Sequence, residues 1–122
     1  MKLTSFTDYS LRLLMYVAVN DGRLVSIKEV SEVFDISRNH LMKIVHELGK
    51  GGYLQTVRGK NGGFRLGRPA GEINLGELIR FTEDDLSIVE CFEEGNVNCK
   101  IVQRCVLSGV LQMALEAFFQ VL

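Results

Sequence analysis

The residues best suited to chemistry are Cys91, Cys99 and Cys105, which fall at a C-x7-C-x5-C spacing. Thiolates are soft ligands that suit zinc, copper and iron–sulfur clusters, and they are also redox-active. No CxxC pair occurs, so a zinc ribbon is not indicated. Zinc held by three thiolates would need a fourth ligand. The only histidines, His40 and His46, lie in a different stretch. Three thiolates on a flexible loop suit an iron–sulfur cluster at least as well, with the fourth ligand supplied from elsewhere. The odd count argues against a disulfide scaffold. Spacing alone leaves four readings open: a cluster, redox-active thiols, zinc, or no shared role.

A second set of residues points to a different chemistry. Between positions 37 and 68 lie Arg38, Lys43, Lys50, Arg58, Lys60, Arg65 and Arg68, against the single acid Glu47. That local net charge of +6 sits in a chain of net charge −1, so the remainder carries −7. The global pI of about 6.1 conceals a cationic surface suited to a polyanion. The plainer alternative is a solvated basic face on a small α/β domain.

The elements that would carry these charges favour DNA. Ser26 and Glu29 have capping-box spacing, and Ile27, Val30, Val33 and Phe34 recur with helical period. Asp35-Ile36-Ser37 interrupts, and Ser37 can cap a second helix. That helix puts Leu41, Ile44, Val45 and Leu48 on one face and Arg38, Asn39, Lys43, His46 and Lys50 on the other. Gly49, Gly51 and Gly52 end it. Two short helices with a tight turn predict a helix-turn-helix, whose second helix enters a major groove. Residues 53–58 and 63–66 flank Gly59-Lys60-Asn61-Gly62, and Asn61-Gly62 is a strong hairpin signal. A helix-turn-helix backed by a hairpin is a winged helix. Ser37, Arg38, Asn39, His40 and Lys43 are the candidates for base edges and phosphates. Arg58, Lys60, Asn61 and Arg65 are the candidates for the wing.

The flanking segments read as support. Residues 4–19 predict a helix capped by Thr4 or Ser5 and apolar nearly all round, which implies burial on more than one side. Asp8 in its first turn is a favourable helix-dipole residue. Residues 23–25 predict a short strand beside the wing. A further helix spans about 73–80, with Asn74 as cap. Glu83, Asp84, Asp85, Glu90, Glu93 and Glu94 then come without a base among them, as an exposed acidic loop. Residues 100–122 predict a long helix with two apolar stripes. One is Val102, Val106, Val110, Met113, Ala117 and Val121; the other is Leu107, Leu111, Leu115, Phe118 and Leu122. Ser108, Gln112, Glu116 and Gln120 form a polar third face, which argues against a membrane span. A partner helix from a second subunit is the economical cover for so much apolar surface.

The expected fold is mainly α with a small β-hairpin: a winged helix-turn-helix plus a long C-terminal dimerisation helix. Its expected parts are a DNA-binding domain at 1–72, a linking helix and acidic cluster-binding loop at 73–98, and a dimerisation helix at 99–122. No Ser/His/Asp set, paired-carboxylate pocket or phosphate loop appears, and Gly59–Gly63 lies inside a hairpin, so an enzyme is not expected. No apolar signal core follows Met1-Lys2, so a cytoplasmic location is expected.

A winged helix opening Leu3-Thr-Ser-Phe-Thr-Asp-Tyr9, carrying Ser37-Arg-Asn-His-Leu-Met-Lys43 and Val57-Arg-Gly-Lys-Asn-Gly-Gly-Phe-Arg-Leu66, and followed by three cysteines before a long helix, resembles the Rrf-type transcription regulators. Within them it is most similar to the nitric-oxide-sensitive repressors. The resemblance implies a homodimeric repressor of palindromic operator DNA, holding an iron–sulfur cluster in each subunit, [4Fe-4S] in preference to [2Fe-2S]. It implies Cys91, Cys99 and Cys105 as cluster ligands and Asp8, donated across the dimer, as an oxygen ligand. It implies nitric oxide as the signal that frees the DNA. Ser108 stands where the related regulator of cluster biosynthesis has a histidine, which counts against that subfamily. Without a cluster, the alternative is a thiol- or zinc-dependent redox-responsive winged-helix repressor.

Overall fold

The computed structural model describes residues 2–95 and 98–122. The chain forms two compact units, Leu3–Ile73 and a second built on Asn74–Leu122.

The first unit is a winged helix. Helix α1 (Ser5–Val19) is capped by Thr4, whose Oγ1 accepts the Thr7 N–H at 3.3 Å. Helix α2 (Ile27–Phe34) is capped by Ser26 and helix α3 (Arg38–Lys50) by Ser37, each accepting at 3.2 Å from the amide three residues on. Each such cap is worth about 1 kcal/mol. Asp35 takes the left-handed conformation (φ 53°) that turns α2 into α3, and the Ser31 hydroxyl holds the corner by donating to the Ile36 carbonyl at 2.6 Å. At the far end of α3, Gly52 (φ 75°) lets Tyr53 N–H reach Leu48 C=O at 2.9 Å, a Schellman closure. Leu13, Leu14, Val17, Val25, Val30, Ile36, Leu41, Ile44, Val45, Leu48, Tyr53, Leu54 and Phe64 are buried. Within the chain α1 buries Leu13, Leu14 and Val17 and leaves Met15 at 62% and Val19 at 81% exposure, so one side of its apolar surface is covered here.

The hairpin differs from expectation in its turn. Strands β1 (Leu54–Val57) and β2 (Gly63–Leu66) pair antiparallel, with Val57 opposite Gly63. Five residues, 58–62, therefore connect them, one more than the 59–62 turn expected, because β1 stops at Val57. The positive φ falls at Gly59 (114°), and Gly62 N–H closes the turn on Gly59 C=O at 3.0 Å. A Cβ at Gly62 would lie 2.1 Å from the Val57 carbonyl oxygen, so close backbone approach demands glycine there. The strand expected at 23–25 is a single bridge: Val25 and Phe64 exchange both backbone hydrogen bonds at 2.9 Å.

One side-chain network ties the first unit together. Glu29 accepts from Tyr16 Oη at 2.7 Å and from Arg23 Nη1 at 3.0 Å, and Arg23 Nη2 also reaches Asn20 Oδ1 at 2.9 Å. The Arg23 guanidinium, then the Tyr16 hydroxyl, hold the Glu29 carboxyl down at about 2.

In the second unit, helix α4 (Leu75–Thr82) begins and ends two residues later than expected, because Ile73 is still extended and Asn74 caps it, accepting from Glu77 N–H at 2.8 Å. Leu78 and Ile79 are buried. Helix α5 (Val106–Val121) starts well after residue 100. A short 3-10 turn occupies Val102–Arg104, and Cys105 has an extended ψ of 104° that interrupts the helical ladder. No residue of α5 is buried. Leu111, Leu115 and Phe119 are half-buried, and the Arg80 guanidinium lies 4.0 Å from the Phe119 ring centroid. Val106, Leu107, Val110, Met113, Phe118 and Val121 stand open at 46–86% exposure. Among the described residues no helix is long and apolar enough to cross a membrane.

Candidate nucleic-acid interface and thiol loop

The outward face of α3 and the wing lie in one unit and share one charge. Arg38, Asn39, Lys43, Arg58, Lys60 and Asn61 are exposed, and none of these side chains makes a hydrogen bond or ion pair among the described residues. Cations left free on an exposed face are available to phosphates. Ser37 is exposed at the start of α3, where the helix dipole adds positive potential, and its Oγ accepts the His40 N–H.

Three basic residues behave differently from the rest. Lys50 pairs with Glu47 at 3.1 Å, so those charges offset. Arg68 donates to the Gly51 carbonyl at 2.8 Å and stacks 4.6 Å from the Tyr53 ring centroid; it caps the C-terminus of α3. Arg65 Nε donates to Gln55 Oε1 at 3.2 Å across the hairpin, which steadies it on the exposed side of the wing. His40 is half-buried, its ring edge-on to Tyr9 of α1 with centroids 5.1 Å apart. It anchors the start of α3 to α1 as well as bordering the interface. Gln55 was missed in the sequence, and only the strand register reveals it.

Asp8 is half-buried on α1 and engaged with Arg12 through both oxygens, Nη2–Oδ2 at 2.9 Å and Nε–Oδ1 at 3.2 Å. The i,i+4 spacing was the available signal for Arg12.

In the second unit, Cys91 lies in a 3-10 turn (Glu90–Phe92), Cys99 is exposed, and Cys105 precedes α5. All three are free thiols, and Cys91 and Cys105 are half-buried. The Cys105 carbonyl accepts from the Ser108 hydroxyl at 2.8 Å. As a donor set these thiols have the chemistry of an iron–sulfur site. Among the described residues, no three His, Cys, Asp or Glu side chains converge on one point. The loop expected to hold a cluster runs through residues 96–97, which lie outside the described residues.

A helix-turn-helix, a wing and a row of free cations along both define a winged-helix, DNA-binding transcription regulator. The chain belongs to the Rrf2 family, described as iron-dependent transcriptional regulators, which it matches over residues 3–122. It is 51% identical over 123 residues to the HTH-type transcriptional regulator NsrR of Bacillus licheniformis, spanning 100% of this chain and 86% of that protein. NsrR of Bacillus subtilis is 50% identical, with 100% and 84% covered. The oxidized form of Staphylococcus aureus CymR superimposes with a TM-score of 0.77 at 28% identity, covering 100% of this chain and 89% of that one. The chain is thus a transcription regulator of the NsrR-like kind and not an enzyme.

Proposed function

We propose that this chain is a homodimeric, cytoplasmic repressor that senses nitric oxide through an iron–sulfur cluster and releases a palindromic operator when the cluster is damaged. The observation that carries this reading is the separation of roles: free cations on residues 3–73 and three free thiols on residues 74–122. The half-identity to NsrR proteins supports it.

Cys91, Cys99 and Cys105 would hold the cluster, [4Fe-4S] in preference to [2Fe-2S], with Asp8 of a second copy as the oxygen ligand. When bound, the cluster supplies the iron that reacts with nitric oxide. The chain's own part is to couple the order of the 91–105 loop to the spacing of two recognition helices. The open apolar face of α5 is the surface for the second copy, and a dimer sets two α3 helices against successive major-groove half-sites. Arg38, Asn39, His40 and Lys43, with the Ser37 cap, contact base edges and phosphates. Arg58, Lys60, Asn61 and Arg65 place the wing on the backbone. Asp8 gives up little by leaving Arg12, because an exposed i,i+4 ion pair is worth about 0.3–0.5 kcal/mol. Losing about 1.4 kcal/mol of DNA-binding energy already costs tenfold in affinity, so a modest change in half-site spacing suffices to release the operator.

A thiol switch without a cluster is the second reading. The likeness to an oxidized CymR favours it. Iron content and visible absorbance of protein purified without oxygen separate the two. The cluster reading predicts brown, iron-loaded protein that turns colourless in Cys99→Ser with helicity unchanged. Colourless, iron-free protein that still binds its DNA selects the thiol switch.

A further inference from the structure

Helix α3 carries five large apolar side chains, and one of them faces the wrong way for a core. Leu41, Ile44, Val45 and Leu48 are at most 6% exposed, whereas Met42 is 55% exposed. Helical spacing surrounds Met42 with Arg38 and Asn39 one turn before it and His46 one turn after. A lone exposed methionine is ordinary on a surface that meets only water. This surface is the one that meets base edges. In the major groove the C5 methyl of thymine is the apolar group on offer, and an apolar side chain is what recognises it. Arg38 and Asn39 suit guanine and adenine, so the face as built lacks any other reader of that methyl. Methionine is unbranched and polarizable, and adapts to an irregular apolar surface.

We propose that Met42 contacts the C5 methyl of one thymine in each half-site, making the regulator prefer thymine over cytosine there. The proposal rests on α3 being the helix that reads the groove.

The test uses the full chain and duplexes it selects from a random-sequence library. Each thymine of the selected duplex is replaced in turn by uracil, which removes the methyl and keeps the pairing. At one thymine per half-site, uracil is expected to weaken binding about threefold to tenfold. Met42→Ala and Met42→Gln are expected to bind the thymine and uracil duplexes equally. Variants that keep every uracil penalty of the parent overturn the proposal, as does a selected site with no uracil-sensitive thymine. Asn39→Ala separates the two ways of failing. If it alters the selected bases while the Met42 variants do not, α3 reads DNA and Met42 takes no part. If neither alters them, α3 is not the reading helix and the proposal falls with it.

Discussion

Between residues 3 and 73 the chain closes on itself. Three helix caps are made, the α3 terminus is closed by Gly52 and Arg68, and thirteen apolar side chains from its three helices, two strands and their connections are buried. Among the described residues between 74 and 122, Leu78 and Ile79 are the only large apolar side chains that are buried, α5 has no side-chain cap and no buried residue, and three thiols stand free. Both units are built from the same apolar vocabulary, so composition does not explain the contrast. What differs is cover: the apolar faces of the first unit are packed within it, whereas one face of α5 stands exposed. A winged helix is locally complete and needs only DNA. In the function proposed above, the second unit supplies the surface for a second copy and the thiols through which a signal acts.

The largest break in this contrast is expected on α5. Met113→Glu places a carboxylate in the open apolar face, which is 69% exposed at that residue. Light scattering should report a monomer, and affinity for a two-half-site duplex should fall about 10²–10⁴-fold through lost avidity. The melting of the winged helix should change little. If the dimer survives, α5 is not its interface.

Next come the free cations of the first unit. Arg38→Ala should cost about 1–3 kcal/mol of DNA binding if it reads a base. Lys43→Ala should weaken all sequences alike and lower the salt slope by about 1. Neither should alter iron content or oligomeric state, and a change in either would blur the division between the units.

The smallest effect tests the first unit's completeness. Glu29, held at about 2 instead of 4.5 by Arg23 and Tyr16, binds fewer protons folded than unfolded. Its contribution is therefore full above pH 4.5 and lost as pH falls toward 2. Glu29→Gln should remove that acid dependence and lower the neutral-pH melting temperature by about 3–5 °C, on the order of 1 kcal/mol. Identical acid titrations of both proteins would show the network to be idle.

What the sequence disclosed follows the same division. Caps at Ser26, Ser37 and Asn74 were legible because a side chain and an amide three residues apart decide them. The helix-turn-helix and the two strands were legible from period and glycines. The hairpin turn at 59–62 was legible from its glycines and lies within the observed connection, whereas the close approach of Gly62 to the Val57 carbonyl is a matter of backbone packing that the Asn61-Gly62 signal does not encode. The start of α5 was set too early, because an apolar period continues through 102 and 106 across an extended Cys105. His40 against Tyr9 and Gln55 beside Arg65 depend on tertiary packing and register, which no spacing encodes. The cysteines were legible as residues but not as a site, since spacing in sequence does not fix where three loop thiols lie in space.

The most direct measurement is a nitric oxide titration of oxygen-free protein on its selected duplex, recording visible absorbance and DNA occupancy together. The account predicts that colour and occupancy fall in step, over the same equivalents of nitric oxide. Occupancy that stays constant while the colour is lost, or colourless protein that releases DNA only on thiol oxidation, would contradict it.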